Sequence, residues 1–330
     1  MPVLKDDNRI DQAPDAIAPS SQRFRVGAHV QALRPRQWTK NAIVFAAPLF
    51  GLALNIDALG NALLAFALFC CMSSSFYLIN DLMDVESDRR HPVKCKRPIA
   101  AGFVSVPVAI GMAVLLMGGA LTVAASRSLL LAAVLGFYAL LQVAYNLRLK
   151  HTVILDVLAI ATGFVLRALA GAAATDIQVS SWFLLCTAML ALFLGIEKRK
   201  AEMRLALTKK GKPRKVLQRY SLPLLQRMEG MVTTGAIMCY SLWSSGPRVG
   251  GASTPWMLLT VPLVLYGIFR YQLLSDPKEM SRRRKLGSAT AGQTERPDEV
   301  LLTDVPILLT VLTWAGLTFA ILLLSQYELL

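Results

Sequence analysis

Residues 80–102 read NDLMDVESDRRHPVKCKRPIAAG, and they begin where a long apolar run ends. Asn80, Asp84 and Asp88 recur every four residues. On a helix that continues past the apolar run, these side chains fall on nearly one face, each about 40° round from the last. Asp81 lies beside them, and Arg89, Arg90, Lys94, Lys96 and Arg97 follow at once. Carboxylates suited to a divalent cation, next to cations suited to phosphate, point to a diphosphate site at a membrane surface. Mg²⁺ takes one or two carboxylates, keeps waters and fills its remaining positions with substrate phosphate oxygens. Asn80 offers a neutral oxygen, so Asn80, Asp84 and Asp88 are the expected metal ligands. Asp84, Asp88 and Asp81 are the expected catalytic carboxylates. Asp81 and Glu86 lie off the shared face, and plain surface positions are the alternative reading for both. A metal there would neutralise a diphosphate leaving group and lower the barrier to breaking its C–O bond.

Working outward, the chain of 330 residues is 55% hydrophobic with mean hydropathy +0.49, beyond what soluble domains of this size reach. Nine apolar runs approach the roughly 20 residues that a membrane helix needs. They are about 41–57, 60–80, 104–125, 128–146, 153–174, 181–197, 231–249, 254–272 and 306–325. The expected fold is therefore all-α and polytopic, with nine transmembrane helices. The first run is the weakest, because Pro48 and Gly51 interrupt it.

The formal charge of +14 first suggests nucleic acid, but its distribution does not. Of 35 Lys and Arg residues, 32 fall in the N-terminal arm and in every second loop. The alternate loops hold only Arg127 and Arg248, and Arg167 lies inside a span. This is the positive-inside pattern of a multi-pass protein of the cell (inner) membrane, with the N-terminus and the 80–102 motif cytoplasmic. Residues 1–28 are polar, lack a signal-peptide core and read as a disordered cytoplasmic arm, leaving 29–330 as the membrane domain. The run from Phe24 to Trp38 suits an interfacial helix, with Trp38 anchored among headgroups. Cys70, Cys71, Cys186 and Cys239 lie in apolar runs and Cys95 stands alone, without zinc or disulfide spacing.

Three further stretches carry charge where chemistry is expected. In RPRQWTKN (34–41), Lys40 stands at the start of the first span, as a phosphate ligand or a snorkelling flank residue. In YNLRLKHTVILDV (145–157), a short loop bears Arg148, Lys150 and His151, and Asp156 falls about one turn inside the next span. Arg167 is deeper in that span, about 16 Å along the helix from Asp156, too far for direct pairing. Each is expected to face a polar cavity. In GIEKRKAEM (195–203), Glu197, Lys198, Arg199, Lys200 and Glu202 mix acid with base, and stop-transfer charge is the plain alternative. The runs Lys209 to Lys215 and Arg282 to Lys285 read as membrane-surface charge.

The motif at 80–102 resembles the aspartate motif of the UbiA superfamily of intramembrane prenyltransferases, a resemblance that extends over residues 30–330. LRPRQWTKN, YLINDLMDVESDRRHPVKCKRPIAAG, YNLRLKHTVILDV and the EKRKAE run resemble its decaprenyl-phosphate phosphoribosyltransferase branch. That branch transfers 5-phosphoribose from phosphoribosyl diphosphate (PRPP) to a polyprenyl phosphate, for arabinofuranose donors of cell-wall glycans. The resemblance implies Mg²⁺ as cofactor, PRPP and a polyprenyl phosphate lipid as partners, and a membrane but no nucleic acid. A homo-oligomer is left open. It implies that Lys40, Tyr77, Lys94 and Arg97 contact the donor, and that Lys150, Lys198 and Arg199 hold its 5-phosphate or the lipid phosphate. Arg167 joins the substrate-binding candidates. Two departures stand out: Glu197 precedes Lys198-Arg199 where the branch usually has glycine, and between residues 130 and 230 the only aspartates are Asp156 and Asp176. The second aspartate cluster of prenyl-transferring members is thus missing, which suits a phosphate-rich donor and acceptor. An aromatic prenyltransferase using a prenyl diphosphate is the nearer rival. A transporter for an anionic substrate is the farther one, disfavoured by the lack of an internal repeat.

Overall fold

A computed structural model describes residues 26–51, 55–91, 93–208, 216–285, 300 and 303–327. Helix α1 (Val26–Ala32) leads into a 3₁₀ helix (Pro35–Phe45) and a short α2 (Ala46–Phe50). Then come α3 (Ile56–Met83), α4 (Val85–Arg89), α5 (Val106–Arg127), α6 (Leu129–Leu147) and α7 (Leu155–Thr175). The second half holds α8 (Ser181–Thr208), α9 (Leu222–Ser244), α10 (Val261–Ser275, preceded by a 3₁₀ turn Pro255–Thr260), α11 (Pro277–Lys285) and α12 (Val305–Gln326). No strand occurs among the described residues.

Seven of these helices are long and apolar enough to cross a membrane: α3, α5, α6, α7, α8, α12 and the Pro255–Ser275 stretch that includes α10. By this measure the described residues show seven of the expected nine. The 41–57 run is split between the 3₁₀ helix and α2. The 231–249 run belongs to α9, whose first turns carry Gln226, Arg227 and Glu229 and dilute its apolar character. Residues 1–25 and the Lys209–Lys215 run lie outside the described residues, and helix begins at Val26.

Local signals start the helices. Asn55 accepts from the Ala58 amide at 2.7 Å to cap α3, and Ser128 and Ser221 cap α6 and α9 in the same way. Helices α3 and α7 are central, with 61% and 56% of their apolar windows buried, against 22% for α5, α6 and α12. The outer faces of those three carry exposed leucines such as Leu115, Leu129, Leu140 and Leu312, as a lipid-facing surface requires. α3 packs on α5 and α7, α7 on α6 and α8, α8 on α9, and α10 on α12. Phe50 joins the halves, edge-on to Trp243 at 4.8 Å and Phe183 at 5.2 Å.

At 28 residues, α3 is about 42 Å long, more than a hydrocarbon core of roughly 30 Å. Its last turns, bearing Asn80 to Met83, can therefore stand beyond the apolar layer. Asp304 fastens α12 at the same end of the bundle. It accepts from the Ile307 amide (3.2 Å) and pairs with Arg270 (3.1 Å) and Arg283 (3.4 Å). Burial acts to raise its pKa, but the hydrogen bonds from Arg270, the Ile307 amide and Arg283 outweigh burial and lower it. The stabilisation is thus fully present above the unfolded carboxylate pKa of ~3.9 and fades as pH falls through the lower folded value. Asp304→Ala is expected to remove about 1–2 kcal/mol at neutral pH. Thermal midpoints of both proteins, followed into acid, should converge; a gap independent of pH would contradict this assignment.

Candidate active site

Asp84 ends α3 and opens α4 with φ −98° and ψ 3°. The break leaves Asp81 and Asp88, seven residues apart, on one side. Arg97 bridges them, its Nη1 3.0 Å from Asp81 Oδ1 and 2.5 Å from Asp88 Oδ2. Arg34 closes the cluster from the N-terminal segment, with Nη2 2.5 Å from Asp81 Oδ1 and its guanidinium 4.9 Å over the Tyr77 ring. Asp81 and Asp88 are buried. Lys94 Nζ stands 3.6 Å from Asp88 Oδ1, an atom that accepts no hydrogen bond. Asp81, expected off the shared face, is thus drawn into the ion-pair cluster because loop 94–97 folds back onto it. Asn80 and Asp84 are half-buried, and their side chains form no hydrogen bond or ion pair among the described residues.

Among the described residues, no three His, Cys, Asp or Glu side chains stand close enough to hold a metal by themselves. Asn80 and Asp84 are nonetheless oxygen donors without a side-chain partner among the described residues, and Oδ1 of Asp88, buried, accepts no hydrogen bond and faces Lys94 at 3.6 Å. That set fits Mg²⁺, which needs few protein ligands when phosphate oxygens complete its shell.

The 3₁₀ helix Pro35–Phe45 is stitched along α3. Ser74 Oγ donates to the Leu33 carbonyl (2.8 Å) and accepts from Trp38 Nε1 (3.0 Å). Trp38 is therefore turned onto α3 rather than serving as a simple headgroup anchor. Asn41 donates to Ser73 Oγ and Cys70 Sγ, both at 3.3 Å. Lys40, half-buried, donates to Gln37 Oε1 at 2.6 Å.

Arg167 and Asp156, expected to face a polar cavity, are each held by side chains of neighbouring elements. Arg167 donates from Nε to Asn41 Oδ1 (2.7 Å), from Nη1 to the Gly163 carbonyl (2.7 Å) and from Nη2 to the Tyr138 hydroxyl (2.9 Å). A central Arg costs about 3 kcal/mol on insertion scales, and these bonds offset that cost. Asp156 accepts from Arg199 Nε (2.8 Å) and the Tyr220 hydroxyl (2.7 Å). Burial pushes the Tyr220 hydroxyl up to about 12, with Asp156 reinforcing burial against the opposing Ile154 amide, so Tyr220 remains a donor at neutral pH.

Arg199 also pairs with Glu202 (2.6 Å) and is 1% exposed, so in this structure it is held by two acids. Lys200 pairs with Glu197 (2.6 Å) and with Glu229, to which Gln272 also donates (2.9 Å). The acids of α7, α8 and α9 therefore each meet a base. Lys150 and Lys198 are half-buried, and Lys150 forms no hydrogen bond or ion pair among the described residues. Arg34, expected with Arg23, Arg25 and Arg36 to face lipid headgroups, instead pairs with Asp81, and Asn41, Tyr138, Tyr220 and Glu229 carried no sequence assignment. The SSS run at 73–75, buried in an apolar helix, was the available signal that polar partners face α3.

The profile of the UbiA prenyltransferase family matches residues 42–290. A decaprenyl-phosphate phosphoribosyltransferase of Mycolicibacterium smegmatis is 36% identical over 303 residues, spanning 88% of this chain and 91% of that protein. The Corynebacterium glutamicum protein of the same name is 37% identical over 320 residues, spanning 94% and 88%. Among solved structures, a UbiA homolog from Archaeoglobus fulgidus bound to DMAPP and Mg²⁺ is similar in fold. Its TM-score is 0.61 at 18% identity, covering 89% of this chain and 99% of that one.

Proposed function

The chain belongs to the UbiA prenyltransferase family, and from that premise we propose that it transfers 5-phosphoribose from PRPP to a polyprenyl phosphate, releasing diphosphate. It is a membrane-bound transferase. The product would be a polyprenyl-phosphoryl-5-phosphoribose, a precursor of arabinofuranose donors for cell-wall glycans. The observation that carries this reading is the pairing of Asp156, Glu197, Glu202 and Glu229 with Arg199 and Lys200. Those acids are neutralised in place, which leaves the Asp84 carboxylate without a hydrogen bond or ion pair among the described residues, beside cations. A single carboxylate site amid positive charge suits phosphate-bearing donor and acceptor better than a neutral aromatic acceptor. The 34–37% identity to phosphoribosyltransferases over most of the chain supports the same choice.

Asn80, Asp84 and Asp88 are the residues that would hold Mg²⁺. When bound, the ion neutralises charge on the leaving diphosphate. Lys40, Tyr77 and Lys94 contact the donor's phosphates or ribose, and Arg97 holds Asp81 and Asp88 in place beside them. Lys150 and Lys198 take the 5-phosphate or the lipid phosphate. The lipid phosphate is already ionised at neutral pH, so its oxygen attacks the anomeric carbon without a strong general base. Electrostatic placement of the departing charge supplies most of the acceleration. The site opens to the cytoplasm, the side on which the positive-inside pattern puts the motif.

Detergent-purified protein given decaprenyl phosphate, radiolabelled PRPP and Mg²⁺ should yield labelled lipid, and EDTA should abolish it. No labelled lipid, with turnover of a prenyl diphosphate and 4-hydroxybenzoate instead, would move the chain to the aromatic branch.

A further inference from the structure

An eleven-residue 3₁₀ helix is unusual, because its hydrogen bonds are poorer than those of an α-helix and such runs seldom exceed three or four residues. The segment Pro35–Phe45 therefore needs external ties, and α7 supplies two of them one turn apart. Arg167 Nε donates to Asn41 Oδ1 at 2.7 Å. Four residues on, Gly171 lets the Val44 carbonyl approach so closely that a Cβ there would lie 2.0 Å from its oxygen. Asn41, wholly buried, also donates to Ser73 and Cys70, so α3, the segment and α7 meet at one side chain.

Each of the three guanidinium nitrogens of Arg167 has a partner within the protein. The group also faces the rings of Tyr138 (4.9 Å), Phe164 (5.3 Å) and Phe69 (5.8 Å). With all three nitrogens engaged and only 8% of the residue exposed, the guanidinium is committed within the protein.

We infer that Arg167 is a positioning residue: through Asn41 it fixes the 3₁₀ segment and so places the adjacent Lys40 for the donor's phosphates. This rests on the proposed reaction and on the role given there to Lys40. The tie through Tyr138 runs to α6 and does not touch the segment, which separates positioning from general support.

Four variants test this: Arg167→Met, Arg167→Lys, Asn41→Ala and Tyr138→Phe, assayed for both substrates and for hydrogen exchange of the amides at 36–45. In Arg167→Met and Asn41→Ala, KM for PRPP should rise about tenfold while kcat changes less than about threefold. Arg167→Lys should fall between them and wild type, because an ammonium can still reach Asn41. Tyr138→Phe should keep the wild-type KM, and KM for polyprenyl phosphate should stay constant throughout. Exchange at 36–45 should quicken in Arg167→Met and Asn41→Ala but not in Tyr138→Phe. Should Arg167→Met not fold, Asn41→Ala and Arg167→Lys carry the comparison. An unchanged PRPP KM in the variants that cut the Asn41 tie, or an equal rise in Tyr138→Phe, overturns the inference. If the wild-type protein consumes no PRPP, the proposed reaction fails and exchange alone decides. Quickened exchange in Arg167→Met then upholds the tie, and unchanged exchange overturns it.

Discussion

Asp84→Ala is expected to lower turnover by at least about 10³-fold while leaving the protein folded. The two halves of that expectation have separate causes. Asp84 forms no hydrogen bond or ion pair among the described residues, so its truncation leaves no buried partner unsatisfied. Its position between α3 and α4 depends on backbone bonds, from its amide to the Asn80 carbonyl and from the Asp88 amide to its own carbonyl, and alanine keeps both. Activity should fall because the carboxylate is half-buried, outward-directed and uncommitted beside Asn80 and Asp88, where the leaving diphosphate would be neutralised. Asp88→Ala is the instructive contrast. That carboxylate is buried against Arg97 and Lys94, so its removal should reduce both activity and stability. The stability loss should be modest, about 1–2 kcal/mol, because Arg97 is 29% exposed and keeps Asp81. Thermal melts with Mg²⁺ and PRPP provide a readout apart from turnover: the ligand-induced rise should vanish in Asp84→Ala. Substantial activity in a folded Asp84→Ala protein would remove Asp84 from the metal site.

Gly171→Ala should be among the most damaging small substitutions in the chain. In a helix interior, alanine is ordinarily favoured over glycine by about 1 kcal/mol. At Gly171 the sign reverses. The added Cβ would lie 2.0 Å from Val44 O, 2.9 Å from Val44 C and 3.2 Å from Val44 Cα. All three are backbone atoms, so no side-chain rotation relieves the overlap. The 3₁₀ segment must move away from α7, stretching the Arg167–Asn41 bond one turn back. A loss of about 2–4 kcal/mol is expected, together with reduced PRPP turnover. Gly119→Ala on α5 serves as control, since a Cβ there meets nothing within 4 Å. It should be neutral or slightly stabilising. Equal thermal midpoints for Gly171→Ala and wild type would show that the close approach tolerates a methyl group.

Much of the architecture was legible because a membrane imposes a simple rule on sequence. A spanning helix satisfies its own backbone and must be apolar for about 20 residues, so α3, α5, α6, α7, α8 and α12 show as runs of that length. The rule is weaker where helices bury polar groups against one another. The 41–57 run appears as one interrupted span, yet it folds as a 3₁₀ helix and α2 because α3 and α7 supply partners for Asn41. Basic residues near the motif were also legible as a group. Their division into structural and available charge was not, since hydropathy carries no information about which acid each cation meets.

By itself, the sequence determined the membrane class, the end of the bundle at which the acidic and basic motif stands, and the residue types gathered there. Those properties follow from composition and from spacing along a single helix. Tertiary structure alone decided that Arg97 and Arg34 are spent on Asp81 and Asp88, that Arg199 and Lys200 neutralise the acids of α7–α9, and that Arg167 grips Asn41. These pairings join residues up to 126 positions apart. Each charge buried in an apolar layer must find a partner from whichever helix lies alongside, and that neighbour is set by packing rather than by local sequence.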